Sequence, residues 1–433
     1  MHRGEGTTYG VAVPPQPPAP VSQHRPPAGA TPAVAVRAVP KRGHLGTLSL
    51  AQILVAEAAV LAVAAAFTGT LLTVAVAVAG SAALLLLVFS RRQHRWWLEH
   101  RLVARDHRRR RAARIDARSG PVLAALRTVA PGLTVRDVAA SRGPTAGAPA
   151  SGGTAAEGTV GVARDEAGWF SVVTLDPAAA PLPLDSLLSA LSGTGQPGLV
   201  MELVTHTVPA PSPDVPAASP SGASYRQLVE AVSPSPVPAY RESSISIRID
   251  AQTLAEALLD HTADPEAAAT LVAGLARKVV TSLRRLGVTG RPLDAERLLA
   301  LLARSCDVEP WALADGPGVD EAWTHWRSAR LVHRTYWLKT WPESATEIGS
   351  LFAWAATAPA AQTSVALVLG AGGGDEVPMR AFIRLATRPD ADLGALDRVL
   401  REGARRAGGE LQALDGEQGP AAYATAPTGG GAG

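Results

Sequence analysis

Three lysines, ten histidines and a single cysteine limit the chemistry open to this chain. An ATPase loop needs Gly-Lys-Ser/Thr, so that backbone amides and the lysine together neutralise the phosphates. None of Lys41, Lys278 and Lys339 follows a glycine, which excludes Walker-type hydrolysis within the chain. A zinc-protease helix needs His-Glu-x-x-His to put two imidazoles and a general base on one face. No histidine here is followed by Glu, so that chemistry is excluded too. Cys306 is alone, and one thiol makes neither an internal disulfide, a CxxC pair nor a multi-cysteine zinc site. A reducing cytosolic setting fits it.

What remains is sparse. The run Gly370-Ala-Gly-Gly-Gly374 joins two expected strands rather than a strand to a helix start. Its amides would not converge with a helix dipole, so a hairpin loop is the expectation and a phosphate cradle is not. Arg92-Gln-His-Arg95-Trp96 fits the R-x-x-R-W pattern of membrane glycosyltransferases, and Asp390-Ala-Asp392 has the form of a metal–diphosphate pair. The first has no catalytic domain ahead of it. In the second, Asp392 directly precedes a helix, where an ordinary N-cap accounts for it. A membrane-tethered glycosyltransferase-like enzyme is therefore the alternative reading, with a regulatory membrane adaptor beside it. No catalytic residue, cofactor or metal is expected. The other unusual patch is aromatic: Trp311, Trp323, Trp326, Trp337, Trp341 and Trp354 crowd into a chain that is 4% aromatic. A core cluster is the default, and Trp337, Trp341 and Pro342 are the candidates for a subunit interface.

The elements that must position these groups begin with two apolar stretches, Leu45–Phe67 and Leu71–Phe89, separated by Thr68-Gly69-Thr70. Each is long enough to cross a hydrocarbon core of about 30 Å as a helix. A cleaved signal peptide does not fit, because 44 mostly polar, Pro-rich residues precede the first stretch and a second follows at once. Alanines four apart at Ala58, Ala62, Ala66 and at Ala75, Ala79, Ala83 suggest close helix packing in lipid. Glu57 falls near the middle of the first stretch. A carboxyl there costs roughly 2.5 kcal/mol unless neutralised or partnered, so it marks either an assembly contact or a protonated group bonded to Gln52 or a helix carbonyl. Beyond the second stretch, residues 91–118 hold 11 arginines against Glu99, Asp106 and Asp116, a net of +8. Lys/Arg-rich flanks stay cytoplasmic. The expectation is a multi-pass inner-membrane protein of a bacterium, with two spans and both termini in the cytoplasm. Arg91, Arg92 and Arg95 with Trp96 and Trp97 form its interfacial anchor to membrane lipids. With no Gly or Pro from Ser81 to Ser119, the second span is expected to run on as one helix through this segment. Residues 119–433 carry a net of −8, which speaks against nucleic acid as a partner.

The soluble part reads as strands and helices in alternation. Residues 1–44 hold nine prolines and read as a disordered cytosolic tail, 45–90 as the transmembrane hairpin, and 91–118 as a basic juxtamembrane helix. Residues 119–158 form a short helix and a flexible linker, and 159–433 one cytosolic domain. Strands are expected at 159–175 as a hairpin, at 199–208, 243–249 and 329–341, and as a pair at 363–370 and 377–387. Helices are expected at 184–191, 253–286 with a break near Pro265, 294–306, 345–356 and 393–407. The fold class is an N-terminal two-helix transmembrane hairpin plus a cytosolic α/β, or α+β, domain.

This layout resembles EccE, a membrane component of the type VII (ESX) secretion system. The segment His333-Arg-Thr-Tyr-Trp-Leu-Lys-Thr-Trp-Pro342 looks like that family's strand with its aromatic-Trp-Pro ending. The runs Leu414-Asp-Gly-Glu-Gln-Gly-Pro420 and Ala424-Thr-Ala-Pro427 are similar as well. The resemblance implies a non-enzymatic structural subunit that stabilises a translocation complex with EccB-, EccC- and EccD-like partners. Energy would come from the partner ATPase. It carries over no catalytic residues.

Overall fold

The computed structural model describes residues 35–38, 44–45, 48–92, 95–112, 120–139, 158–177, 182–209, 238–250, 265–315, 318–370 and 376–431, with isolated positions between 219 and 253. Of the expected Pro-rich tail, residues 1–34 lie outside this set, as does the Gly-rich loop at 371–375.

Two apolar helices come first, α1 (Leu50–Ala66) and α2 (Leu71–Val88). The Thr70 side chain caps α2 by accepting the Thr73 amide. Gln52 Nε2 donates to Val88 O and Ser81 Oγ to Ala59 O, both at 3.3 Å, so the helices run side by side in opposite directions. These polar groups orient the pair. Ala59, Val63 and Ala66 of α1 and Ala77, Ser81, Leu85 and Val88 of α2 are shielded, whereas Ala58, Ala62, Ala75, Ala79 and Ala83 face outward. The contact stripe is thus offset from the one the alanine spacing suggests. Among the described residues, Leu71–Val88 is the one helix long and apolar enough to cross a bilayer; Gln52–Ala66 is apolar but shorter.

The expectation of one continuous helix from Ser81 to Ser119 is wrong. Helix α2 stops at Val88, Ser90 Oγ takes the Leu87 carbonyl, and the chain reverses so that Trp97 N donates to Ser90 O at 2.9 Å. Arg91–Arg92 and Arg95–Trp96 pair antiparallel, and helix α3 starts afresh at Trp97 and ends at Ala112. A serine that satisfies a helix-end carbonyl with its own hydroxyl competes with continuation of the helix. Neither Gly nor Pro is needed for the break.

The rest is mixed α and β around one large, mainly antiparallel sheet. Helix α4 (Pro121–Arg127) leads into strand β1 (Thr134–Ala139), then the hairpin β2 (Thr159–Asp165) and β3 (Gly168–Leu175). Next come α5 (Leu184–Ser192), β4 (Leu199–Pro209), β5 (Pro238–Asp250), α6 (Pro265–Arg285) and α7 (Ala295–Ser305). The final third adds β6 (Val332–Thr340), α8 (Ala345–Ala355), β7 (Gln362–Gly370), β8 (Glu376–Thr387), α9 (Leu393–Arg406) and α10 (Gln418–Ala424). In space the strands run β6, β8, β7, β4, β5, β3, β2, β1, each antiparallel to its neighbour, with Asp320–Glu321 and Trp326–Arg327 beyond β6. Strand β1 falls in the segment read as helix and linker and forms one edge by pairing with β2. Ala35–Ala38 pairs in parallel with Glu376–Met379.

Both sheet faces are covered, which explains strands that look half-polar yet are buried throughout. In β5, Ile245, Ile247 and Ile249 join Val173 and Met201 in a core capped by α5, α6, α8 and α9. Phe170 and Val172 of β3 point the other way, against α4, α7 and α10. On this second face the sheet also buries charge: Glu202, His206, Arg248 and Arg384. Buried charge needs partners. Arg248 forms a two-pronged pair with Asp165, 2.7 Å from Oδ1 and 2.5 Å from Oδ2, and Tyr423 OH donates to the same carboxylate. Glu202 Oε2 accepts the amides of Thr428, Gly429 and Gly430 at 3.0, 2.6 and 3.0 Å. Gly429 and Gly430 both have φ of +81°, the left-handed form in which consecutive N–H groups converge on an anion. Burial still pushes the Glu202 carboxyl up to about 8, against the pull of those three amides. The end of the described chain is thereby bolted into the second face.

Candidate functional site

The most specific long-range junction is where the arginine helix meets the folded domain. His100, Val103, Ala104, His107 and Arg110 recur at helical spacing and form the shielded face of α3, while Arg101, Arg105, Arg108 and Arg109 stay exposed. The arginine run therefore hides an amphipathic helix. Arg110 Nε donates to Glu321 Oε2 at 2.8 Å and its Nη2 to Glu321 Oε1 at 2.9 Å, with a further bond from Nη2 to Gly416 O at 2.7 Å. Two parallel N–H bonds to one carboxylate fix direction as well as distance. Arg111 lies 3.7 Å from Asp320.

The Trp323 ring sits under both histidines, with centroids 5.0 Å from His100 and 5.5 Å from His107. Gly416 closes the joint from the far end of the chain. Its φ of +80° and the position of its missing side chain matter equally: an added Cβ would lie 2.6 Å from both Val103 and Trp323. Gly419 N donates to Glu321 Oε1 at 3.1 Å, so one carboxylate serves the helix and the C-terminal segment together. Burial is the main cause that lowers the His107 pKa. Arg110, Arg111 and Arg108 add to it and Glu321 opposes it. The neutral ring is the form that packs here.

The expected site residues are spread over three places. Glu57 is exposed on α1, away from α2. Arg91, Arg92, Arg95, Trp96 and Trp97 sit on the reversal that launches α3, where Phe89 meets Trp96 edge-on at 6.0 Å and Arg101 lies over Trp97 at 5.1 Å. Trp337 lies within β6 and Trp341 and Pro342 follow its end, with Trp341 edge-on to Phe352 at 6.4 Å and Pro342 buried. Asp392 caps α9 by accepting the Ala395 amide at 3.0 Å, as the N-cap reading required, and Asp390 pairs with Arg388. The joint itself was missed by sequence reasoning. Its signals were the 3–4 spacing of His100, Val103 and His107 within the arginines and the acidic pair Asp320-Glu321 beside Trp323.

A second polar cluster ties helix to sheet. His206 Nδ1 is 2.6 Å from Ser364 Oγ and its Nε2 is 2.9 Å from Ser305 Oγ. Arg384 donates to Ser305 O at 2.6 Å and to Ser364 Oγ at 3.1 Å. Serine beside histidine has the outline of a nucleophile and base, yet all four residues are buried, and burial, then Arg384, pushes His206 down to about 3. A general base works best with a pKa near the operating pH. Here the cluster acts as a strut between α7 and the sheet. Among the described residues no group of three or more His, Cys, Asp or Glu is placed to hold a metal ion.

Residues 237–338 match a family model described as "Putative type VII ESX secretion system translocon, EccE". This stretch is similar to the EccE family. It runs from the start of β5 through α6 and α7 into β6, and it contains Asp320, Glu321 and Trp323, the domain side of the joint. The family is that of a secretion component and not a known enzyme family. No curated protein matches the chain.

Proposed function

We propose that this protein is a non-catalytic membrane subunit of a type VII (ESX) secretion machine, held in the plasma membrane by α1 and α2 with both termini in the cytoplasm. The hairpin anchors it, and the EccE-like domain presents the cytosolic surface on which partner subunits assemble. EccB-, EccC- and EccD-like proteins are the expected partners, and the work of export is done by a partner ATPase.

The observation that carries this reading is the docking of α3. A basic helix that follows an apolar helix pair engages Glu321 inside the EccE-like domain, so force or position at the membrane passes directly into that domain. The exposed arginines on its other face are free for anionic head groups, at about 1 kcal/mol each near the surface. The parallel pairing of Ala35–Ala38 with Glu376–Met379 supports a common side for the chain before α1 and the domain after α2. Glu57, facing outward from the pair, is the residue we assign to a contact with another subunit's helix. Trp337 and Trp341, both half-buried, form the proposed domain interface, with the buried Pro342 behind them.

Purification of the tagged full chain in mild detergent tests the proposal. Co-elution with a multi-span secretion subunit and an ATPase is expected. Recovery as a lone monomer under conditions that keep the partners intact would count against it.

A further inference from the structure

A cleft of about 440 Å³ opens on the second face of the sheet, between α7 and the ends of β3 and β5. That size falls in the range of about 300–1,000 Å³ usual for ligand pockets. Four arginines line it: Arg241, Arg291, Arg297 and Arg304. All four belong to the segment 237–338 that matches the EccE family model, while Thr174, Leu175, Asp176 and Pro177 from the end of β3 complete the wall.

Two of its charges follow one another along α7. Leu293, Arg297, Ala300 and Arg304 follow helical spacing, so one side of α7 and the turn before it look into the cleft, while Leu298, Leu301 and Leu302 turn into the core. Arg297 and Arg304 lie two turns apart, about 10 Å along the axis. Arg304 is held by Glu242 at 3.2 Å and Arg297 by Asp294 at 3.5 Å. Arg241 and Arg291 make no ion pair among the described residues. Between the charges lies an apolar floor of Leu175, Pro177 and Leu293, with Tyr240 on the rim at 53% exposure.

We infer that this cleft binds an extended acidic segment of a partner protein, in which Asp or Glu side chains alternate with apolar ones. A compact phosphate fits less well. Arg297 and Arg304 stand two turns apart on α7, Glu242 already pairs with Arg304, and Asp176 also lines the cleft, all of which oppose a compact anion. Carboxylates spaced along an extended strand meet separate arginines instead, each through a two-pronged bond. Alternate side chains of an extended strand point to opposite faces, so the acidic ones enter the cleft and the apolar ones face away from it. The inference goes beyond the secretion reading and holds whatever complex the partner belongs to.

The test uses the full chain in detergent and a panel of labelled peptides of about twelve residues, with Glu or Asp at every second or third position among Leu, Phe and Ala. Matched peptides carry Gln and Asn in place of the acids, and inorganic phosphate and phosphatidylinositol vesicles serve as further probes. Saturable binding of acidic peptides is expected, absent for the amide versions and weakened about tenfold by Arg241→Glu with Arg291→Glu, as loss of steering and pairing charges requires. Circular dichroism of that double variant should match the parent, since neither arginine makes an ion pair within the described chain. Equal binding of the amide peptides, binding unaffected by the double variant, no binding across the panel, or displacement by phosphate or by the vesicles would each overturn the assignment.

Discussion

Arg110 and Glu321, 211 positions apart in sequence, meet through both prongs of one guanidinium. Their side chains keep 21% and 8% of their exposure, so the pair is largely withdrawn from water. Removing one partner of such a pair leaves a poorly solvated charge behind, at about 3–5 kcal/mol when burial is complete. With Arg110 part-exposed, a cost of about 2 kcal/mol is expected for Arg110→Met in urea unfolding. Glu321→Gln should cost less, because its amide oxygen still accepts from Gly419. The double variant should cost less than the sum of the two; strict additivity would mean that the pair carries no coupling.

The same joint should loosen in acid. Docking holds His107 neutral and lowers its pKa below the ordinary value of 6.5, so the undocked helix takes up a proton more readily. The contribution is complete at pH values above 6.5 and shrinks as pH falls below it, by at most about 1.4 kcal/mol per unit for one proton. Spin labels at Arg105 and Arg327, both exposed, should report a narrow distance at neutral pH and a broad one near pH 5. His107→Gln should remove the difference. A pH-independent distance in the parent would contradict the neutral-ring packing.

Much of the domain could be read from its sequence because the signals were local. The runs SVALVLG and AFIRLAT pair as β7 and β8 around the glycine loop, and Asp294 before a leucine-rich period gave α7 its start. The strand order could not be read. Alternation of strands with helices suits a parallel sheet as well, and only pairings such as β4 with β7, some 160 residues apart, make it antiparallel. Strand β1 escaped notice because TVRDVA, at the sheet edge, carries few apolar residues. The docking face of α3 was hidden by its arginines, and its counterpart lies two hundred residues away.

The C-terminal bolt predicts a sharp effect from two small changes. A non-glycine residue in the left-handed region costs about 1–2 kcal/mol. At Gly429 an added Cβ would also fall 2.6 Å from the Arg248 Cβ, whereas at Gly430 the nearest atom is 3.1 Å away on Val368. Gly429→Ala should therefore lower the urea midpoint more than Gly430→Ala, and both below the parent. An unchanged midpoint for Gly429→Ala would mean that the segment does not hold Glu202 in solution.

The proposed topology rests on the charge of the flanks. Reporters fused at residue 1 and at residue 433 should both behave as cytosolic, because the basic residues lie on either side of the apolar pair. Labelling of either end from outside the cell would overturn the proposed orientation.

Export in a strain lacking this protein tests the central claim most directly. The full chain should restore secretion, and a chain ending at Arg118 should reach the membrane yet restore none, since insertion needs only the apolar helices and their arginines. A chain with Asp390→Ala and Asp392→Ala should export normally, because losing the cap on α9 costs about 1 kcal/mol. Secretion supported by residues 1–118 alone, or lost in the double aspartate variant while it still folds and joins the complex, would contradict the account of a non-catalytic assembly subunit.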